Sequence, residues 1–272
     1  MRASLVIAVI AFAVLGTTPQ EYRDGRQAPD AVELIASSQQ AFHAAGTDMR
    51  ARVQMVLVSR DGRIRERELT MLRRNFAAAE QRYYMYFHRP ADVRGTTFMV
   101  WKYPERDDDR WIFIPAINLV RRIAADDARS SFVGSDFNYE DVSGRDVGAD
   151  EHRILREDSL GSRSVFVVES RPLRSADYVR KLSWIDQSTR LPLREEYYDV
   201  QGQRYRVFTS DEIENVEAGP SKVATVVKRT MENVKTGHRT EVTFLEVQYN
   251  VGIGDDLFSE ASLRRPPRRW IR

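Results

Sequence analysis

Cysteine is absent from all 272 residues, and that one absence removes several classes of protein. Disulfides and thiolate metal sites are excluded. So is a lipid-anchored bacterial lipoprotein, whose acyl groups need a cysteine directly after the signal peptide. Long apolar runs are also lacking. A membrane-crossing helix needs about 18 apolar residues, and the one sizeable run, Leu5 to Leu15, is too short. Neither sign of charge dominates, with 42 basic against 40 acidic residues, so nothing favours nucleic acid as a partner. The histidines, His43, His88, His152 and His238, have no ligand spacing. Asp107-Asp108-Asp109 lacks the alternating ligands, glycine and distal glutamate of a calcium loop and reads as a polar hairpin tip. No nucleophile elbow, phosphate loop or dinucleotide fingerprint is present. The chain gives no motif for an enzyme, a metal or a cofactor.

What is present begins with Met1-Arg2-Ala3-Ser4, the apolar run, and then Gly16-Thr17-Thr18-Pro19. A positive start, a short apolar stretch and a small-residue exit form a secretory signal. Residues 1–16 are therefore expected to be a signal peptide cleaved after Gly16, the alternative being an uncleaved anchor. Residues 17–28 are polar and read as a flexible leader. The mature protein is expected to be soluble in an extracytoplasmic compartment. With no staples available, an ordinary apolar core must hold it together.

Pro29-Asp30 opens a helical stretch in which Val32, Leu34, Ile35, Ser38 and Phe42 share a face, and Gly46 ends it. From Met49 the period becomes two. Val53, Met55 and Leu57 fall on one face, and Asp61-Gly62 marks a hairpin. Strand patterns then recur at short spacing to Tyr249, with further hairpin tips at Gln201-Gly202 and Thr236-Gly237. They amount to about eleven strands, a mainly β chain of barrel or sandwich type. Several runs, including Tyr83 to Phe87 and Phe98 to Trp101, are apolar on both faces, so they lie between two dry layers. Ala124 to Asp150 is long and irregular, as functional lids are. A short helical piece, Asp255 to Ala261, precedes an arginine-rich tail, residues 264–272, leaving residues 29–263 as one domain.

Asp109-Arg110-Trp111-Ile112-Phe113-Ile114-Pro115 continues to Val120-Arg121-Arg122-Ile123. Ser130-Ser131-Phe132-Val133-Gly134-Ser135-Asp136-Phe137-Asn138-Tyr139-Glu140-Asp141 follows. With Gly95-Thr96-Thr97-Phe98 before it, this block resembles the outer-membrane lipoprotein-sorting proteins of the LolA-like superfamily, in a branch often associated with RND-type exporters. The resemblance implies a half-open antiparallel β-barrel with an N-terminal helix and short helices at its mouth. It also implies a periplasmic, non-enzymatic carrier of acylated lipoprotein or lipid toward the outer membrane. Partners would be acyl chains and a donor complex, an inner-membrane RND-type exporter being one such donor. A lipid-sensing or exporter-accessory role on the same fold is the nearest rival, and a secreted hydrolase with dispersed residues a remote one.

On that reading Val53, Met55, Leu57, Leu69, Met71, Met85, Phe87, Met99 and Trp101 line an apolar cavity; the alternative is that they are core under the helix. Arg121 and Arg122 would meet a polar head group at the mouth, or else pair with acids such as Asp127. Phe132 and Phe137 would form a movable lid. Arg264, Arg265, Arg268, Arg269 and Arg272, around Trp270, would touch an anionic membrane transiently or fray into solvent. Replacing Met85 or Met99 with glutamate should abolish binding of a fluorescent fatty acid while circular dichroism shows an intact fold.

Overall fold

The computed structural model describes residues 29–272; the expected signal peptide and leader lie outside them. Six strands come first: β1 (Asp48–Val58), β2 (Ile64–Asn75), β3 (Gln81–Arg89), β4 (Thr97–Lys102), β5 (Asp109–Ile114) and β6 (Leu119–Ile123). Seven follow: β7 (Asp150–Leu160), β8 (Arg163–Pro172), β9 (Arg180–Asp186), β10 (Pro192–Tyr198), β11 (Arg204–Ala218), β12 (Ser221–Asn233) and β13 (His238–Tyr249). Each strand pairs antiparallel with its sequence neighbour, except that β6 and β7 do not meet. The first and last strands, β1 and β13, pair with each other instead. The result is one open sheet of 13 strands whose two edges are β6 and β7.

About eleven strands were expected and thirteen form, and β7 is one that the pattern missed. It is an edge strand, exposed along most of its length, so it has no dry face to impose a period of two on its sequence. The three hairpin tips formed where their dipeptides stand. At the first, Gly62 takes φ +81°, a backbone region open to glycine and costly for residues with a Cβ.

Helix α1 (Ala31–His43) begins where Asp30 accepts hydrogen bonds from the amides of Val32 and Glu33, satisfying two of the orphan donors of its first turn. Leu34 and Ile35 pack with Phe166, Val168 and Ile185, placing the helix over β8 and β9. Val32, expected on the buried stripe, is instead 52% exposed.

The sheet buries both faces. On the inner face one core runs from Met49, Val53 and Leu57 through Leu69, Met85 and Phe98. On the outer face Leu72, Tyr84, Met99 and Phe113 are covered by Ile253, Leu257, Phe258, Leu263 and Ile271. These last residues belong to the C-terminal segment, which folds as α3 (Glu260–Arg264) and α4 (Arg268–Ile271). The arginine-rich tail is therefore part of the domain. Arg50 Nε donates to the Trp270 carbonyl at 3.0 Å, and Arg264 Nη1 donates to Asn118 Oδ1 at 2.7 Å.

Two buried aspartates fix the sheet. Asp48 opens β1 and accepts hydrogen bonds from the amides of Val251, Gly252 and Ile253 at 2.7, 3.0 and 3.2 Å. It thereby turns the chain leaving β13 onto the outer face. Asp186 closes the turn after β9. Burial alone would raise its carboxyl, but hydrogen bonds from Ser188, Thr189 and Arg163 overcome this and bring it down to about 2.

Asp48→Ala should cost about 2–4 kcal/mol in urea unfolding, because buried amides lose a charged acceptor. For Asp186 the folded pKa lies below the unfolded one, so its contribution is complete above about pH 4. It should fade as the pH falls from about 4 to about 2. Asp186→Asn should flatten that limb of the stability curve.

Candidate functional site

The inner face and the segment covering it form the candidate site. Register decides which residues share that face, since antiparallel partners point to the same side. Val53 pairs with Leu69 and with Phe244, and Leu69 pairs with Phe87. Met71 pairs with Met85, and Met85 with Phe98. Val53, Met55, Leu57, Leu69, Met71, Met85 and Phe87 consequently lie together in the inner core. Each is at most 7% exposed.

Met99 and Trp101 do not join them. The β3–β4 hairpin reverses parity, so the even residues Phe98 and Val100 face inward while Met99 pairs with Tyr84 on the outer face. Trp101 packs edge-on against Trp111, with Arg82 stacked on its ring. A run that is apolar at every position carries no parity of its own, and the hairpin register alone settles it.

The two mouth arginines also part. Arg121 pairs with Ile112 on the inner side, whereas Arg122 pairs with Trp111 on the outer side. There Arg122 forms an ion pair with Asp109, which Arg106 also contacts at 3.0 Å. Arg121 is exposed.

Between the open edges, residues 124–149 fold into short 3-10 turns and α2 (Tyr139–Ser143). This segment dips into the sheet as a plug. Phe132 and Phe137 are 3% and 5% exposed. The Phe132 ring lies 5.3 Å from Phe98, 6.0 Å from Phe87 and 5.5 Å from Tyr139. Polar groups latch its rim. The Asp136 amide donates to Thr240 Oγ1 at 3.0 Å, and its carboxylate accepts from Thr240 at 2.7 Å and lies 2.6 Å from His238 Nδ1. Lys102 Nζ donates to the Gly144 carbonyl at 2.8 Å. Asn138 and Asp141 cap α2 reciprocally. Val133, in the plug, sits at φ +50°, a conformation costly for a β-branched residue.

The other half of the inner face is not apolar. Lys181 and Ser183 on β9, Glu195 and Tyr197 on β10, and Arg206 on β11 all point inward. Lys181 pairs with Glu195 at 3.0 Å, and Arg206 with Asp141 of the plug at 3.1 Å. Burial pushes the Asp141 carboxyl up to about 6 against the pull of Arg206. Burial works against the Arg206 charge too, but Asp141, Tyr197 and Asp177 hold it firmly protonated. Sequence reasoning did not single these residues out, because alternate charges along β9 to β11 look the same on a solvated face. The same alternation arises when polar groups point into a shared interior.

Two small cavities of about 60 and 40 Å³ remain beneath the plug. Each holds only a few waters. Among the described residues no helix is long and apolar enough to cross a membrane, and no cluster of side chains is arranged to hold a metal ion.

An open, curled antiparallel sheet with a plugged mouth is the LolA-like fold. A LolA superfamily protein from Nitrosomonas europaea matches with a TM-score of 0.65 at 18% identity, over 86% of this chain and 99% of that one. An outer membrane lipoprotein-sorting protein domain from Vibrio parahaemolyticus reaches 0.78 at 24% identity, over 86% and 98%. A DUF1329 family protein from Desulfovibrio piger also reaches 0.78, at 26% identity over 85% and 97%. The family model described as "Uncharacterized protein" matches residues 79–265, and the chain belongs to that family. No curated protein matches it.

Met99→Glu should therefore act on stability, not on the inner face. It buries an unpaired carboxylate beneath Leu263 and should cost about 3 kcal/mol or more. Thermal unfolding would detect this.

Proposed function

We propose that this protein is a periplasmic, non-enzymatic carrier that takes an acyl chain of a lipid or lipoprotein against its inner face. The observation that carries the reading is the plug. Its aromatic side chains fill the apolar half of the sheet from between two unpaired edges, where no strand pairing holds them. An acyl chain can replace Phe132, Phe137 and Tyr139 against Val53, Leu69 and Met85 with like surface for like. The strand scaffold need not change.

Water makes such a carrier necessary. Each exposed methylene costs about 0.8 kcal/mol, so a chain of ordinary length costs roughly 10 kcal/mol to bring into an aqueous gap. Methionines at 55, 71 and 85 suit a chain of variable shape, because the thioether side chain adapts. The two cavities beneath the plug, about 60 and 40 Å³, are far below the roughly 300 Å³ or more that a ligand pocket occupies. Loading thus requires the plug to lift. Strain at Val133, and attachment through side-chain hydrogen bonds and ion pairs in place of strand pairing, make this segment the element able to do so. Transfer would need no covalent chemistry, only a partner with a more favourable site. The likeness to a lipoprotein-sorting domain and a LolA superfamily protein supports a carrier role.

Native mass spectrometry of detergent-free protein should show co-purified lipid, and a fluorescent fatty acid should bind. Asp136→Ala removes two hydrogen bonds to a carboxylate, worth about 1.5 kcal/mol each, so it should speed probe uptake roughly a hundredfold. Protein that carries no lipid, and that excludes the probe in both wild type and Asp136→Ala, would overturn the carrier reading.

A further inference from the structure

Arg229 on β12 is an inward cation to which the fold gives neither an ion pair nor a hydrogen bond. Arg206 has Asp141 and Asp177, Lys181 has Glu195, and Arg145 has Glu140 and Asp150. Arg73, nearby, donates to the backbone carbonyls of His43 and Ala45. Among the described residues, no hydrogen bond or ion pair involves the Arg229 guanidinium, and its Nε is buried without a partner. Three aromatic rings surround it instead: Phe244 at 4.9 Å, Phe42 at 5.2 Å and Phe137 at 5.6 Å. Cation–π contacts of this kind recover only part of the hydration that a guanidinium loses on burial.

Its position gives the charge a use. Arg229 borders both cavities. One reaches Met49 and Met71 on the apolar half of the inner face, and the other reaches Phe208 and Met231. One of its three rings, Phe137, belongs to the plug, so lifting the plug opens the cage. Building on the carrier reading, we infer that Arg229 is the head-group site, and that the ligand is a single-chain or multi-chain amphiphile whose anionic oxyanion, a carboxylate or phosphate ester, docks there. Its acyl chain then runs past Met71 along the apolar strands.

Two further features agree. The His43 ring, which lines both cavities, is held well below its usual pKa by burial and then by the positive charges of Arg229, Lys102, Arg73 and Lys181. Four cations thus act on this one ring. A guanidinium offers a planar fork of donors matched to carboxylate and phosphate oxygens. An incoming oxyanion would supply the partner that the empty protein lacks.

The test compares cis-parinaric acid with its methyl ester, which keeps the chain and removes the charge, on the full chain. Wild type should bind the acid at least tenfold more tightly. Arg229→Met should bind both equally, and Arg229→Lys should retain part of the preference. Without ligand, Arg229→Met should melt no lower than wild type, whereas loss of a merely structural arginine would lower the Tm. Dodecyl phosphate should raise the wild-type Tm and inorganic phosphate at the same concentration should not. Equal wild-type affinity for acid and ester would overturn the head-group site while leaving the carrier intact. Preference persisting in Arg229→Met would overturn it as well. Inorganic phosphate acting as strongly as dodecyl phosphate would make this a free-anion site and overturn the amphiphile. Binding of neither acid nor ester would overturn the carrier reading and this inference together.

Discussion

The pairing of the first strand with the last is the constraint on which the rest of the molecule depends. Because β1 and β13 form the seam, the two meanders grow outward from it, and the sheet must end at β6 and β7. Those two edges are joined in sequence by the segment 124–149. That segment has nowhere to go but across the opening, and its apolar side chains then fall onto the inner face. A plug is thus the topological consequence of the seam. Asp48 strengthens the seam at one end by holding the three amides that follow β13.

Two-sided burial follows from the same arrangement. The chain leaving β13 emerges beside β1 and is turned outward, so its apolar residues cover Leu72, Tyr84, Met99 and Phe113. The inner face is left to the plug and α1. The outer layer is closed by the chain's own terminus, secured by backbone and side-chain hydrogen bonds around Arg50 and Arg264. The inner layer is closed by side chains carried on short turns, and its void space is small. The inner covering includes a β-branched residue, Val133, at positive φ.

The inner surface is chemically divided. From β1 to β4 it is mostly apolar, broken by Arg67, Arg73 and Lys102, and from β9 to β11 it carries charges that are paired with one another or with the plug. Amphiphiles are divided in the same way. Arg229 lies at the boundary between the halves, and its unmatched charge makes the division asymmetric.

Much of this was legible in the residues. The Asp30 cap, the three hairpin tips, the apolar-on-both-sides strands and the lid-like stretch before Asp150 all rest on local chemistry, and they formed where their residues stand. Within β1 to β3 hairpin registers keep odd residues together, so the residues from Val53 to Phe87 singled out in the sequence share one buried face. Where a signal was missing, so was the reading. β7 has no dry face, and its sequence shows no period. Phe98 to Trp101 is apolar throughout, so only the β3–β4 register could place Met99 and Trp101 outside. Arg121 and Arg122 are adjacent in sequence, yet a strand sends neighbours to opposite faces. By itself, then, the sequence determined the class of fold, because strand period and turn chemistry act over a few residues. Tertiary structure alone decided which face is inside, which arginine has no partner and where the tail lies. Those depend on register and on contacts between residues far apart in the chain, which no local pattern encodes.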